Sequence, residues 1–212
     1  MDKRKANTRR AILKAFVEQL VESGYDDMTV QDILDRSGVG RATFYAHFGG
    51  KEDLLAYQIR AICNHALNPT TPERHHDFVG KDDPLSQTEH VLCHLLEREN
   101  GVRALLAGNG SERFADCLRH EIVARADTAV PEHPNGLAAS MNRAFLLHHI
   151  AASFVGMVRW WAWTDFSTSP HDLALDYLRA ILPLFGMEPP DAAPQQAETR
   201  PSDGLYTATT RG

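Results

Sequence analysis

The chain has 212 residues, 43% of them apolar, enough for one large or two small buried cores. Three widely spaced cysteines, an odd number, imply no disulfide framework and suit a reducing, cytoplasmic compartment. A net charge of −6 argues against a general polyanion binder, and no window reaches the roughly 18 uninterrupted apolar residues of a membrane span.

Helical periodicity dominates and strand signals are almost absent. Residues 1–14 gather Lys3, Arg4, Lys5, Arg9, Arg10 and Lys14 against a single acid, Asp2. A basic tip on a chain whose remainder is acidic fits a localised nucleic-acid contact, or else a plain solvated terminus. Arg4, Lys5 and Arg9 are expected in an arm ahead of the first helix, along a phosphate track or in the adjoining minor groove. Asn7 or Thr8 then caps a helix with Ile12, Leu13, Phe16, Val17 and Leu20 on one face. Ser23-Gly24 ends it, glycine being suited to a left-handed C-terminal cap. Thr29 caps a second helix, Asp32 is placed to complete a capping box, and Val30, Ile33 and Leu34 face inward. Gly38-Val39-Gly40 makes the turn, and Arg41 to Phe48 forms a short third helix with Phe44 and Phe48 inward. After Gly49-Gly50 a fourth helix runs from Lys51 to about Leu67 on Leu54, Leu55, Ile59 and Ile62.

Residues 68–84, with three prolines, read as a connecting loop. Helices are expected at about 85–99, 101–107 and 111–127. Beyond the Pro131–Gly136 break they resume at about 137–163 and 171–187, separated by Ser167–Pro170. From Glu188 the composition predicts a disordered tail. The expected fold is therefore all-α, with about nine helices. Residues 1–50 form a three-helix helix-turn-helix DNA-binding domain (the motif itself at about 29–48), 51–187 a larger helical domain, and 188–212 the tail.

In a helix-turn-helix the second helix enters the DNA major groove while the first crosses the backbone. Gly40 and Ala42 supply the small outward groups that close approach requires. Arg41 is long enough to reach a guanine edge or a phosphate, and Thr43 to touch a thymine methyl or a phosphate oxygen. Thr29 is either only a cap or a hydroxyl facing a phosphate. Lys51 adds a point charge on the DNA backbone, and Tyr45 and His47 lie outward. One short reading helix sees few base pairs, whereas two related by a twofold axis see a palindrome.

The run T-V-x-D-I-x-x-x-S-G-V-G-R-A-T-F-Y-x-H-F-x-x-K-E-D-L-L, from Thr29 to Leu55, resembles the TetR family of bacterial transcriptional regulators, with a close match over about 8–65. The resemblance implies that Tyr45 and His47 donate to phosphates. Where the family often has a serine this chain has Gly40, which removes a possible cap hydroxyl and phosphate donor. The resemblance further implies a homodimer and an effector cavity. The apolar excess of the last two helices makes Met141, Phe145, Val155, Val158, Leu178, Ile181, Leu182 and Phe185 the candidate pairing surface. Candidate cavity residues are Leu105, Phe114, Leu118, Phe145, His149, Met157, Trp160, Trp161 and Trp163, whose tryptophans would suit a flat or aromatic ligand.

The implied function is a cytoplasmic repressor that binds a palindromic double-stranded operator as a dimer and is released by a small-molecule effector, with no cofactor and no membrane partner. Catalysis is not expected, since no G-x-S-x-G, P-loop, H-E-x-x-H or G-x-G-x-x-G context is present. Two other sensing modes stay open. His90 and His94 lie four apart with Glu97 and Cys93 nearby, and His75-His76 and His148-His149 form further clusters, but spacing fixes no third metal ligand. Redox sensing through Cys63, Cys93 or Cys117 is the second, and a helical adaptor without DNA binding is the remaining rival.

Overall fold

The computed structural model describes residues 3–67, 78, 81, 83–97, 101–107 and 110–190, among which there are helices and no strand. The α-helices are α1 (Lys3–Ser23), α2 (Val30–Ser37), α3 (Arg41–Tyr45), α4 (Lys51–Leu67), α5 (Pro84–Leu96), α6 (Val102–Ala107), α7 (Ser111–Ala129), α8 (Arg143–Trp163) and α9 (Pro170–Ile181). None is long and apolar enough to cross a membrane among the described residues. Most of the expected 68–84 loop, and the expected tail from residue 191 onward, lie outside the described residues.

Local chemistry sets the N-terminal boundaries. α1 ends where Gly24 turns left-handed at φ +80° and its N–H returns to the Leu20 carbonyl at 3.0 Å. The Thr29 hydroxyl accepts from the Asp32 N–H at 3.2 Å while the Thr29 N–H donates to the Asp32 carboxylate at 2.8 Å, so α2 opens on a complete capping box. Gly38, at φ +66°, closes it. The start of α1 differs from expectation. Arg4, Lys5 and Arg9 are already helical, and the Thr8 hydroxyl donates to the Arg4 carbonyl at 3.1 Å instead of capping. Alanine, lysine and arginine are strong helix formers and no breaker intervenes, so propensity extends the helix over the proposed arm.

Two later boundaries also shift. The expected helix at 137–163 divides into a 3-10 turn (Gly136–Ser140) and α8, because the Asn142 side chain accepts from the Phe145 N–H at 3.1 Å and starts a new helix. α9 stops at Ile181, where Pro183 lacks the N–H that another turn needs and the chain tightens into a 3-10 turn (Leu182–Phe185).

A continuous apolar cluster runs from Phe16 of α1 through Phe44, Leu54 and Leu92 to Phe114, Phe154 and Trp161. α4 joins the two ends of the molecule, with Leu54 and Leu55 buried beside the N-terminal helices and Ile62, Cys63 and Ala66 farther along. Gly110 permits the closest approach between them. A Cβ there would lie 2.7 Å from that of Tyr25, so the loop before α2 is keyed against the start of α7. A second, smaller cluster around Ala138, Leu146, Ile150 and Ile181 closes the far end.

Candidate nucleic-acid interface

The third helix divides into an inward and an outward face. Phe44 is fully buried and Phe48 nearly so, their rings 6.2 Å apart. Burying two such rings stabilises this corner by roughly 1.5–3 kcal/mol each. With those anchors fixed, Arg41, Ala42, Thr43 and Tyr45 stand exposed side by side, with Gly40 exposed at the N-cap and His47 half-buried at the far end. Tyr45 is held edge-on to Phe44 at 5.3 Å, which leaves 49% of it in solvent. The Arg41 guanidinium donates to the Gln31 side chain at 2.6 Å, and Gln31 donates to Asp35 at 2.7 Å. This exposed chain ties the reading-helix arginine to α2 and points its orientation along the outer surface.

Three of the expected DNA contacts are engaged within the protein. The Lys51 ammonium donates to the carbonyls of Tyr25, Asp26 and Met28 at 2.8, 3.2 and 2.9 Å, and lies 4.7 Å from the centroid of the Tyr25 ring. All three of its protons are used, so its evident role is to fasten the loop before α2 to the start of α4. The Thr29 hydroxyl also donates to the Asp32 carboxylate at 2.7 Å, which holds that carboxyl below its usual range. Arg9 stacks its guanidinium 5.4 Å over Tyr57, with its Nε buried. Arg4 and Lys5 remain exposed on the first turn of α1.

The nine candidate effector residues are not brought together. Leu105, Phe114, Leu118 and Trp161 are core, the Trp161 indole N–H donating to the Thr168 carbonyl at 2.8 Å. Met157 is half-buried, while Phe145, His149, Trp160 and Trp163 lie on the outside of α8. Periodicity on a helix with apolar groups all round does not say which tryptophan faces in. A groove of about 550 Å³ lies elsewhere, between α4, α5, α7, α8 and α9, with Val91, Ile122, Phe154 and Tyr177 on its walls and Arg60, Asn64, Glu121 and Arg125 at its polar end. Arg60 and Arg125 both donate to Glu121, at 2.8 and 2.7 Å, and Arg125 reaches Asn64 at 2.8 Å. Sequence reasoning missed this network, which joins positions 61 residues apart.

Of the expected pairing residues, Val155, Val158, Leu178 and Ile181 are buried in their own chain, because α8 packs chiefly against α7 and α9 against α5. Met141 and Phe185 are half-buried against the smaller core and Leu182 is half-buried too, which leaves Phe145, 62% exposed, on the open face. A different stripe of α8 is exposed instead. Phe145, His149, Ala152, Gly156, Trp160 and Trp163 follow three- and four-residue spacing and are all exposed. Of the cysteines, Cys63 is buried and its thiol is pushed by that burial up to about 11, far from a reactive thiolate.

Comparison with known proteins agrees with the residue-level reading. Residues 12–57 match the family model for bacterial regulatory proteins of the tetR family, and residues 82–181 match that of a transcriptional regulator C-terminal region. The curated relatives include YxbF of Bacillus subtilis (strain 168), an uncharacterized HTH-type transcriptional regulator, 39% identical over 111 residues. YvdT of the same organism, described likewise, is 29% identical over 77 residues. These matches take in 48% and 36% of this chain, which spans only 29% and 40% of the two relatives' lengths. A TetR transcriptional regulator from Streptococcus agalactiae 2603V superposes with TM-score 0.56 at 26% identity, over 85% of this chain and 96% of that one. With both family models matched in order and the helix-turn-helix built as its residues require, the chain belongs to the tetR family of bacterial transcriptional regulators.

Proposed function

We propose that this chain binds a palindromic double-stranded DNA operator as a homodimer, represses transcription there, and is released by a small-molecule effector. The observation that carries the reading is the exposed row Gly40, Arg41, Ala42, Thr43 and Tyr45 on a short helix pinned from beneath by Phe44 and Phe48. Small groups at 40 and 42 let the backbone approach base edges, Arg41 supplies a bidentate donor, and Tyr45 and His47 supply phosphate donors. Arg4 and Lys5 add charge to the flanking backbone from the first turn of α1. A chromosomal operator places the protein in the cytoplasm.

The exposed aromatic stripe on α8 supports pairing, since two copies packed along it would bury Phe145, Trp160 and Trp163 in a shared helical bundle. The groove ending in Arg60, Asn64 and Arg125 supports an effector with an apolar body and at least one acceptor group. Arg60 and Arg125 together outweigh Glu121 by one positive charge, which favours a neutral or anionic polar end.

Selection of duplexes from a random pool by the purified chain tests this reading. The expected result is an inverted repeat, with Arg41→Ala costing about 1–3 kcal/mol in affinity and relaxing preference at one base pair per half-site. Recovery of unrelated sequences, or retention equal to that of Arg41→Ala, would count against it.

A further inference from the structure

Three imidazoles converge where α4 meets α5. His65 lies near the end of α4, and His90 and His94 lie one turn apart on α5; their ligand atoms all fall within 4.8 Å of one another. His90 and His94 are 1% and 6% exposed. Neither the helix-turn-helix nor the groove network uses them.

The hydrogen-bond pattern shows what this cluster is for. His90 Nδ1 lies 3.1 Å from the Ala66 carbonyl oxygen, which only accepts, so the ring proton sits on Nδ1. His94 Nδ1 lies 3.1 Å from a Glu97 carboxylate oxygen, which likewise favours a proton there. Both rings therefore turn an Nε2 lone pair toward the other, and those two nitrogens are 2.9 Å apart. Two lone pairs at that distance repel unless an electrophile lies between them, either a proton or a metal ion. Convergence of a third imidazole, with ring centroids 5.4 Å from His90 and 4.8 Å from His94, has no purpose for a shared proton and suits an ion. Carbonyl and carboxylate partners behind the ligating rings are the usual outer shell of histidine metal sites. Phe78 stacks on His90 at 4.5 Å and shields that side from water.

We propose that His65, His90 and His94 form a site for a divalent transition-metal ion of zinc type. Three nitrogen donors suit Zn²⁺ or Co²⁺ and leave one position for water or an exogenous ligand. Zinc–nitrogen bonds of about 2.0–2.1 Å put tetrahedral ligand atoms roughly 3.3 Å apart, so the His90 and His94 rings separate slightly and His65 moves in. The ion braces the end of α4 against α5. Since α4 begins at Lys51, which fastens the loop before α2, occupancy of the site biases the position of the reading helix. That last consequence rests on the DNA-binding reading; the site itself does not.

Cobalt titration of the full chain without DNA tests the site. The expected result is one cobalt per chain, with the visible absorption of four- or five-coordinate Co²⁺, displaced by zinc. His90→Gln, His94→Gln and His65→Gln each abolish the spectrum, whereas Glu97→Gln keeps its shape and weakens affinity about 10–100-fold. The exposed pair His148→Gln/His149→Gln leaves it unchanged. Circular dichroism checks folding, and if the buried variants unfold, the half-buried His65→Gln decides. Wild type giving no spectrum would overturn the site and point to a shared proton, and a spectrum that survives His65→Gln would overturn it by placing the ion on other ligands. Operator affinity measured with and without saturating zinc then tests the bracing. A shift of several-fold supports it, and an unchanged affinity removes the bracing while leaving DNA binding itself intact.

Discussion

Lys51 illustrates how much one side chain contributes when its neighbours are backbone atoms. Its ammonium satisfies three carbonyls of the 25–28 loop and sits over the Tyr25 ring, so removing it leaves three acceptors to find water in a half-buried corner. Lys51→Met is expected to destabilise the fold by about 2 kcal/mol, read from the midpoint of urea unfolding at constant slope. An unchanged midpoint together with lost operator affinity would instead make Lys51 a direct phosphate contact. Glu121 offers a second test at this scale. Burial pushes its carboxyl up, but the hydrogen bonds from Arg60 and Arg125 outweigh it and the net shift is downward. A carboxyl depressed in the folded state stabilises fully above its unfolded value, and that contribution is lost as pH falls through the folded one. Glu121→Gln should therefore lower the melting temperature at pH 7 and flatten its decline on acidification below about pH 5. Melting curves that fall in parallel for both proteins would contradict the pairing.

At the scale of elements, the N-terminal helices were legible because their signals are local. Thr29 with Asp32, Gly24, Gly38 and the Phe44–Phe48 pair each act within a few residues, and the helices form around them, although α3 stops at Tyr45, short of the expected end at Phe48. Gly40 extends that logic to a prediction. It caps α3 without a side-chain hydrogen bond, and among the described residues a Cβ there meets nothing within 4 Å. Gly40→Ser should fit without rearrangement, raise stability by a few tenths of a kcal/mol and tighten operator binding through the added hydroxyl. Weaker binding would mean that the space at position 40 is filled by DNA. What the sequence left unread depends on distance along the chain or on the handedness of packing. His65 joins His90 and His94 only once α4 and α5 pack together, and Arg60 meets Glu121 across an interval no spacing rule spans. On α8, apolar groups occupy nearly the whole circumference. Only the packing of its neighbours, α7 above all, decides that Val155 and Trp161 face inward while Trp160 and Trp163 face out. The expected arm failed for the opposite reason, since helix propensity at residues 3–9 acts locally and a composition reading passed over it.

For the whole molecule, Gly156 lies on the proposed pairing face. A glycine in the middle of α8 costs about 0.5–1 kcal/mol relative to alanine, and among the described residues nothing lies within 4 Å of a Cβ placed there. It lies midway along the stripe from Phe145 to Trp163, where the backbones of two α8 helices would cross most closely. Gly156→Glu should leave the protomer folded, convert a dimer to a monomer in sedimentation, and weaken binding to a full palindrome far more than to a half-site. A dimer that persists would move the interface elsewhere. One continuous core and a shared α4 leave little room for α3 to move alone, so the proposed effector or ion would act on DNA binding by favouring one arrangement of the proposed dimer.

The outer face of α3 is the surface proposed to meet the duplex. A photo-reactive phenylalanine analogue placed at Tyr45, and separately at Trp163, with irradiation on a selected operator, addresses it most directly. The expected result is a cross-link to DNA from position 45, and from position 163 a cross-link only to the second protomer. DNA captured from position 163, or an operator bound with full affinity yet never captured from position 45, would contradict it.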